Sequence, residues 1–124
     1  MRDSRAYRVR VTDDEQWVRL VDADVALDAR RYRSADGRVS IGITDPLLDR
    51  NNGVWSVDRA GASRTDGAAD LIGDIASVSA AYLGGTSWRT LVATGRIDEA
   101  TAGAAGVADD LFASVPLPFC GTFF

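Results

Sequence analysis

With 124 residues, 46% of them hydrophobic and 26% charged, the chain is sized for a single globular domain with a real core and is too short for two ordinary ones. Its 14 basic residues are all Arg, it has no His, and 18 acids leave a net charge of -4, which excludes a Ser-His-Asp or Cys-His couple, a Lys Schiff base and a P-loop lysine and, with one Cys, an ordinary zinc site or an internal disulfide. The acidic balance argues against nucleic acid, whose phosphates require a basic excess, and the lack of any apolar run near about 18 residues argues against a membrane span or signal peptide, so the default location is the cytoplasm.

Residues 1–5 read as a charged tail or a remnant of expression. Tyr7, Val9 and Val11 then alternate with Arg8 and Arg10, which predicts a strand over 6–12 with a solvated Arg face. Trp17-Val18-Arg19-Leu20-Val21 predicts a second strand, because Trp and Val suit a pleated surface; Thr12 and Glu15 also fit a capping box, so a helix starting there is the competing reading. Asp22 or Asp24 caps a short helix through about Arg31, with Val25, Ala29 and Tyr32 on one face. Ala35-Asp36-Gly37 is a turn, and Arg38 to Thr44 is a strand whose Val39, Ile41 and Ile43 share a face. Asp45-Pro46 breaks it, and Leu47 to Asn52 is a loop. Val54 to Val57 and Ala62 to Thr65 form a hairpin around the turn from Asp58 to Gly61.

Beyond Gly67 the pattern changes. Asp70 to Asp74 is one last short strand, and Asp74 caps a helix with Ile75, Val78, Tyr82 and Leu83 on its apolar face. Gly84-Gly85 ends that helix, Thr86 or Ser87 caps the next, which carries Trp88, Leu91 and Val92 and stops near Gly95, and a third runs from about Ala100 to Pro116 with Val107, Leu111 and Phe112 on a stripe. Strands first and helices last give an α+β layer, a mostly antiparallel or mixed sheet of about five strands covered on one face by helices.

The chain closes on a Pro-braced aromatic tail, residues 116–124, which contains three Phe. Free termini normally fray, so an apolar one implies a partner surface. The residues allow two readings: a strap that closes the domain's own core, each covered Phe contributing about 1.5–3 kcal/mol, or an arm that delivers the carboxylate of Phe124 into a site. Elsewhere, Arg64-Thr65-Asp66-Gly67-Ala68-Ala69 has the Arg-x-x-Gly-x-Ala form of an acetyl-CoA pyrophosphate loop, but Asp66 and Asp70 place negative charge where a pyrophosphate would lie, and Leu71-Ile72 reads as strand. The pairs Asp13/Asp14, Asp22/Asp24 and Asp109/Asp110 read as caps and solvated faces. Trp17, Trp55, Trp88 and Tyr82 read as core aromatics, and Cys120 as an inert buried thiol.

Trp17 to Asp22, Ala26 to Arg30, Thr44-Asp45-Pro46, Asn52-Gly53, Tyr82 to Gly85, Ala108 to Phe112 and the Pro-Phe-Cys ending at Phe124, taken in this order and spacing, resemble one domain: the C-terminal, sterol-carrier-protein-like domain of N-acetyltransferases of the enhanced intracellular survival (Eis) type. The resemblance implies two acetyltransferase-like (GNAT) regions ahead of this domain in a parent protein, acetyl-CoA as co-substrate, amine acceptors such as aminoglycosides or lysine, and assembly into homo-oligomers. It further implies that the Phe124 carboxylate is a general base partnered by a Tyr acid in the N-terminal region. This chain then has no cofactor site or metal of its own and is inactive alone. The other reading is a stand-alone sterol-carrier-like module that binds a lipid or other apolar ligand between sheet and helices, and a third is a purely structural or oligomerising domain.

Overall fold

The computed structural model describes residues 16–33 and 36–120. The strand predicted over 6–12, the Asp13/Asp14 pair and Phe124 lie outside the described residues. The first described element is helix α1, Ala23–Ala29, capped by the Asp22 carboxylate, which accepts from the Val25 N–H. Strand β1, Arg38–Thr44, leads through a 3-10 turn, Asp49–Asn51, into β2, Gly53–Asp58, and β3, Gly61–Thr65. Strand β4, Leu71–Asp74, passes directly into α2, Ile75–Tyr82, followed by α3, Trp88–Ala93, strand β5, Ile97–Glu99, and α4, Ala104–Phe112.

The five described strands form one mixed sheet in the order β3-β2-β1-β4-β5, with β1 and β4 parallel and the other three pairs antiparallel. Register explains the core. Val39 lies opposite Val57, Ile41 opposite both Trp55 and Leu71, and Gly73 opposite Ile97, so alternate residues of four strands share one face. That face joins Leu27, Val78, Trp88, Leu91, Leu111 and Phe112 from the four helices in one buried cluster. The α+β layer is therefore as the hydrophobic pattern implied.

The step from β3 to β4 has a specific cause. Thr65 is level with Val54 and Gly42, and Leu71 with Ile41, so β4 begins where β3 ends. Residues 66–70 cross from one edge of the sheet to the other side of β1. Ala69 passes over Gly42, where an added Cβ would stand 3.0 Å from the Ala69 Cβ. Asp70 then docks the crossing: its carboxylate accepts from the Ser40 N–H at 2.8 Å, and its N–H donates to the Ser40 carbonyl at 2.8 Å.

Four expectations are corrected. Residues 17–21 are not a strand: none of the five strands pairs with them, Leu20 alone enters the core, and the Leu20 N–H donates to Ser79 Oγ at 3.0 Å instead of to a ladder. The buried face of α1 is Ala23 and Leu27, not Val25 and Ala29, because the Asp22 cap sets the phase; Val25 is 65% exposed, and Tyr32 is buried beyond the helix end. The last helix starts at Ala104 rather than near Ala100. Residues 97–99 form β5, and Ala100 and Thr101 give their N–H groups to the Asp70 carbonyl. Leu83 lies just past the end of α2 and is 45% exposed.

Candidate functional site

The tail leaves the domain at a junction built from α1, α2 and α4. Phe112, the last residue of α4, is buried, with its ring edge-on to Trp88 at 5.0 Å and to Tyr32 at 5.2 Å. Above it sits the Arg30 guanidinium, 4.7 Å from the Phe112 ring centroid. Arg30 Nε donates to the Tyr82 carbonyl and Nη2 to the Phe112 carbonyl, both at 2.6 Å, and Nη1 donates to the Arg31 carbonyl at 2.8 Å. One side chain thus satisfies the terminal carbonyls of two helices, where the helix dipoles favour a cation. Burial holds its pKa below the usual guanidinium value, while Tyr32 and Tyr82 act in the opposite direction.

Gly84 lies at φ +84°, and a Cβ there would overlap the Phe112 carbonyl oxygen and crowd Ser114. Gly85 faces the Pro118 ring, 3.2 Å from the place of a Cβ. The Gly84-Gly85 pair therefore ends α2 and also lets the tail run close against it. From Ala113 to Cys120 the chain has no regular structure. The Val115–Pro116 peptide is cis, and Ser114 Oγ donates to the Pro116 carbonyl at 3.0 Å. Val115 is 80%, Leu117 69% and Phe119 91% exposed, and Cys120 is half-buried. As far as residue 120 the tail is not a strap over the core: Phe119, which a strap would bury, stands in solvent, and Cys120, expected to be buried, is only partly covered.

The other candidates fall into structural roles. Arg64 reaches away from its loop, donating to the Asp24 carboxylate at 3.1 Å, to the Asn52 carbonyl at 2.9 Å and to the Arg50 carbonyl, with its guanidinium over the Trp55 ring at 4.5 Å. Residues 64–69 lead into β4 and not into a helix, so they do not fit the phosphates of acetyl-CoA, whose loop needs a helix start. Asp22 caps α1. Asp24 also accepts from Trp55 Nε1 at 2.6 Å, and Asp109 accepts from the Trp88 N–H at 2.6 Å at the start of α3. Trp55 and Trp88 are core residues as read from the sequence; Trp17 is 87% exposed and is not. Among the described residues no group of three or more His, Cys, Asp or Glu could hold a metal ion.

The sequence reading missed one site. In the sequence Asp45 reads as a strand breaker and as part of the Thr44-Asp45-Pro46 motif, not as a buried charge. Its carboxylate is completely buried and accepts from Arg19 Nη2 at 2.8 and 2.9 Å, from the Leu47 and Leu48 N–H groups at 2.9 and 3.2 Å, and from Asn51 Nδ2 at 2.8 Å. Burial works to raise its pKa, but the hydrogen bonds from Asn51, Leu47, Leu48 and Arg19 outweigh it and hold the group down at about 2. Asn51, also buried, donates to the Val21 carbonyl and accepts from the Ala23 N–H. The signal in the sequence was an Asp before Pro followed by Asn51-Asn52, side chains suited to tying a loop to its own backbone.

The space between sheet and helices, where an apolar ligand would sit, is filled by Trp55, Trp88, Phe112 and the aliphatic side chains around them. The two best-formed hollows among the described residues are open surface notches. One lies at the hairpin end beside Arg38, Asp58 and Arg59; the other lies between α3 and α4 beside Arg89 and Glu99. No helix among the described residues is long and apolar enough to cross a membrane.

Residues 23–121 match the family model of the sterol carrier protein domain. The chain is a sterol carrier protein domain. Its relatives are longer. It is 35% identical over 124 residues to an uncharacterized N-acetyltransferase of Streptomyces griseus, covering 98% of this chain and 30% of that protein. To an uncharacterized N-acetyltransferase of Streptomyces coelicolor it is 41% identical over 110 residues, covering 86% of this chain and 26% of that one. Among solved structures, Eis1 from Mycobacterium abscessus superposes with a TM-score of 0.84 at 40% identity over 90% of this chain and 28% of that chain. A GCN5-related N-acetyltransferase from Anabaena variabilis gives 0.67 at 28% identity, over 77% and 26%. This sterol carrier protein domain thus spans about a third or less of the N-acetyltransferases it matches, and it is of an acetyltransferase-associated kind.

Proposed function

We propose that this sterol carrier protein domain is the C-terminal module of an Eis-like N-acetyltransferase, in which it serves as scaffold and supplies the carboxylate of Phe124 as general base. The observation that carries the reading is the coverage: nearly all of this chain aligns with under a third of N-acetyltransferases. The acetyl-CoA site and the acid then belong to GNAT regions outside this chain, which agrees with the structural occupation of Arg64. The exposed row of Val115, Leu117 and Phe119 supports an arm that leaves its own domain for another surface.

In this role the carboxylate accepts a proton from the acceptor amine as its nitrogen attacks the thioester carbonyl of acetyl-CoA; a Tyr of the GNAT region returns a proton to the leaving thiolate. A terminal carboxyl near 3.5 in water is a weak base at neutral pH, and covering it among Phe rings raises it toward a useful value. Acceptors of the reading are amines such as aminoglycosides or lysine side chains, and a homo-oligomer of the parent and a cytoplasmic location accompany it. The test is to compare acetylation by the full-length polypeptide with and without Phe124. Turnover should fall by about 100-fold or more, the scale of general base catalysis, with acetyl-CoA binding intact; unchanged turnover removes Phe124 from the chemistry.

A further inference from the structure

Around Asp45 the surface is inside out. Of the four buried polar or charged residues among those described, Asp45, Asn51 and Ser79 lie beneath the segment 17–23, where they bond Arg19, Leu20, Val21 and Ala23. Above them, large apolar side chains face outward: Trp17 is 87%, Val21 60%, Val25 65% and Leu47 74% exposed. Val21, Val25 and Leu47 belong to one area. The Val21 carbonyl accepts from Asn51 and Arg50, the Leu47 N–H donates to the carboxylate that holds Arg19, and Val21 and Val25 flank the Asp22 cap of α1.

Single exposed hydrophobics are ordinary, but a contiguous group held on a fixed backbone marks a surface that is covered in use. The hydrogen bonds to Arg19, Leu20 and Val21 fix the segment ahead of α1 without making it strand or helix, so docking would not have to order it. Its rim carries charges already paired within the domain, Arg50 with Asp22 at 3.9 Å and Arg64 with Asp24 at 3.1 Å. A covering partner would therefore meet apolar side chains without leaving a rim charge unpaired, the arrangement of an interface centre inside a polar rim.

We propose that this surface is where the remaining, larger part of the N-acetyltransferase polypeptide docks on the domain, an inference that rests on the reading that such a part exists. The occupant follows from length: 70% and 74% of the two Streptomyces relatives lie outside the region this chain matches, the complements of 30% and 26%.

The experiment places single cysteines in the full-length polypeptide at Val21, Leu47 and Arg59, and follows maleimide labelling at each by peptide mapping, so that Cys120 is read separately. Arg59 is exposed at the hairpin end, opposite to Asp45 along β1 and β2, and serves as the open reference. Labelling at V21C and L47C should be about tenfold or more slower than at R59C, since a covered site reacts only when the contact opens. Equal rates at the three positions overturn the docking surface. Protection that vanishes on dilution, as light scattering shows subunits separating, assigns the surface to a second copy and overturns it equally. Equal rates in a polypeptide whose turnover depends on Phe124 sink this inference alone; protected probes in a polypeptide without acetyltransferase activity sink the functional reading alone.

Discussion

Asp45 shows how one carboxylate can replace a ladder of backbone bonds. Segment 17–21 has the composition of a strand and yet pairs with none of the described strands, so its polar backbone needs other partners. Asp45, Asn51 and Ser79 provide the anchorage, and the charge that organises them is kept ionised by the bonds it accepts. The sign of the resulting pH dependence follows. An unfolded Asp titrates near 3.9, whereas Asp45 folded titrates at about 2. Its contribution is fully present above about pH 4 and is lost as pH falls toward 2. Asp58 and Asp74 are also held down, the first by the Ala60 N–H and Arg38, the second by Ser77, and both add to the same acid window. Asp45→Asn is expected to lower the urea midpoint at about pH 6 and to narrow its difference from the midpoint at about pH 2.5, where the wild-type carboxylate has lost most of its advantage. An equal loss at both pH values would mean that packing, not charge, carries the effect.

At the scale of elements, α2 and α4 are joined by contacts that no side chain larger than hydrogen would permit at Gly84. Its φ of +84° and the closeness of the Phe112 carbonyl both exclude a Cβ. Gly84→Ala is expected to cost about 1–3 kcal/mol, the scale of strain for a non-glycine residue held at positive φ, read from denaturant midpoints. Gly95 is the matched control: its φ is +71° but nothing lies within 4 Å of an added Cβ, so Gly95→Ala should cost less. Comparable losses would assign the effect to φ alone. The elements that were legible from sequence are those whose information is local. The alternation of Val39, Ile41 and Ile43, the hairpin turn from Asp58 to Gly61, and the caps Asp22, Asp74 and Ser87 each stand where pattern and turn chemistry put them. Strand β5 was not legible because Ile97-Asp98-Glu99 is three residues long with two charges, and only its pairing with β4 makes it a strand. The phase of α1 was lost because Val25 is more apolar than Ala23, while the cap, not hydrophobicity, decides which of them faces the sheet. For the candidate site, the apolar tail and the helix stop at Gly84-Gly85 could be read in advance; the passage of the tail past those glycines, the Arg30 clamp and the Asp45 node could not, since their partners are up to 82 residues away.

For the whole molecule, the decisive feature is that sheet and helices share one buried cluster running from Val57 on β2 through Trp55, Leu71 and Ile97 to Trp88 and Phe112. No described element has a separate core to fall back on, so partial unfolding of α3 and α4 would expose Ile41, Leu71 and Ile97 together. Trp55 and Trp88, both nearly fully buried and placed on β2 and on α3, report independently from the two sides of this core. Trp17, 87% exposed, would blur the signal, so Trp17→Phe is the background to use. Urea unfolding followed by Trp fluorescence in Trp17→Phe, in its Trp55→Phe and Trp88→Phe derivatives and by far-UV circular dichroism is expected to show coincident fluorescence and dichroism transitions within each variant, the mark of an all-or-none process. If the α3 reporter were lost at lower denaturant than the backbone signal, the helices would form a separate unit. The tail would then depart from a junction that opens on its own, and the fixed exit built from Arg30, Gly84 and Phe112 could not hold the C-terminal arm in one direction for a partner site.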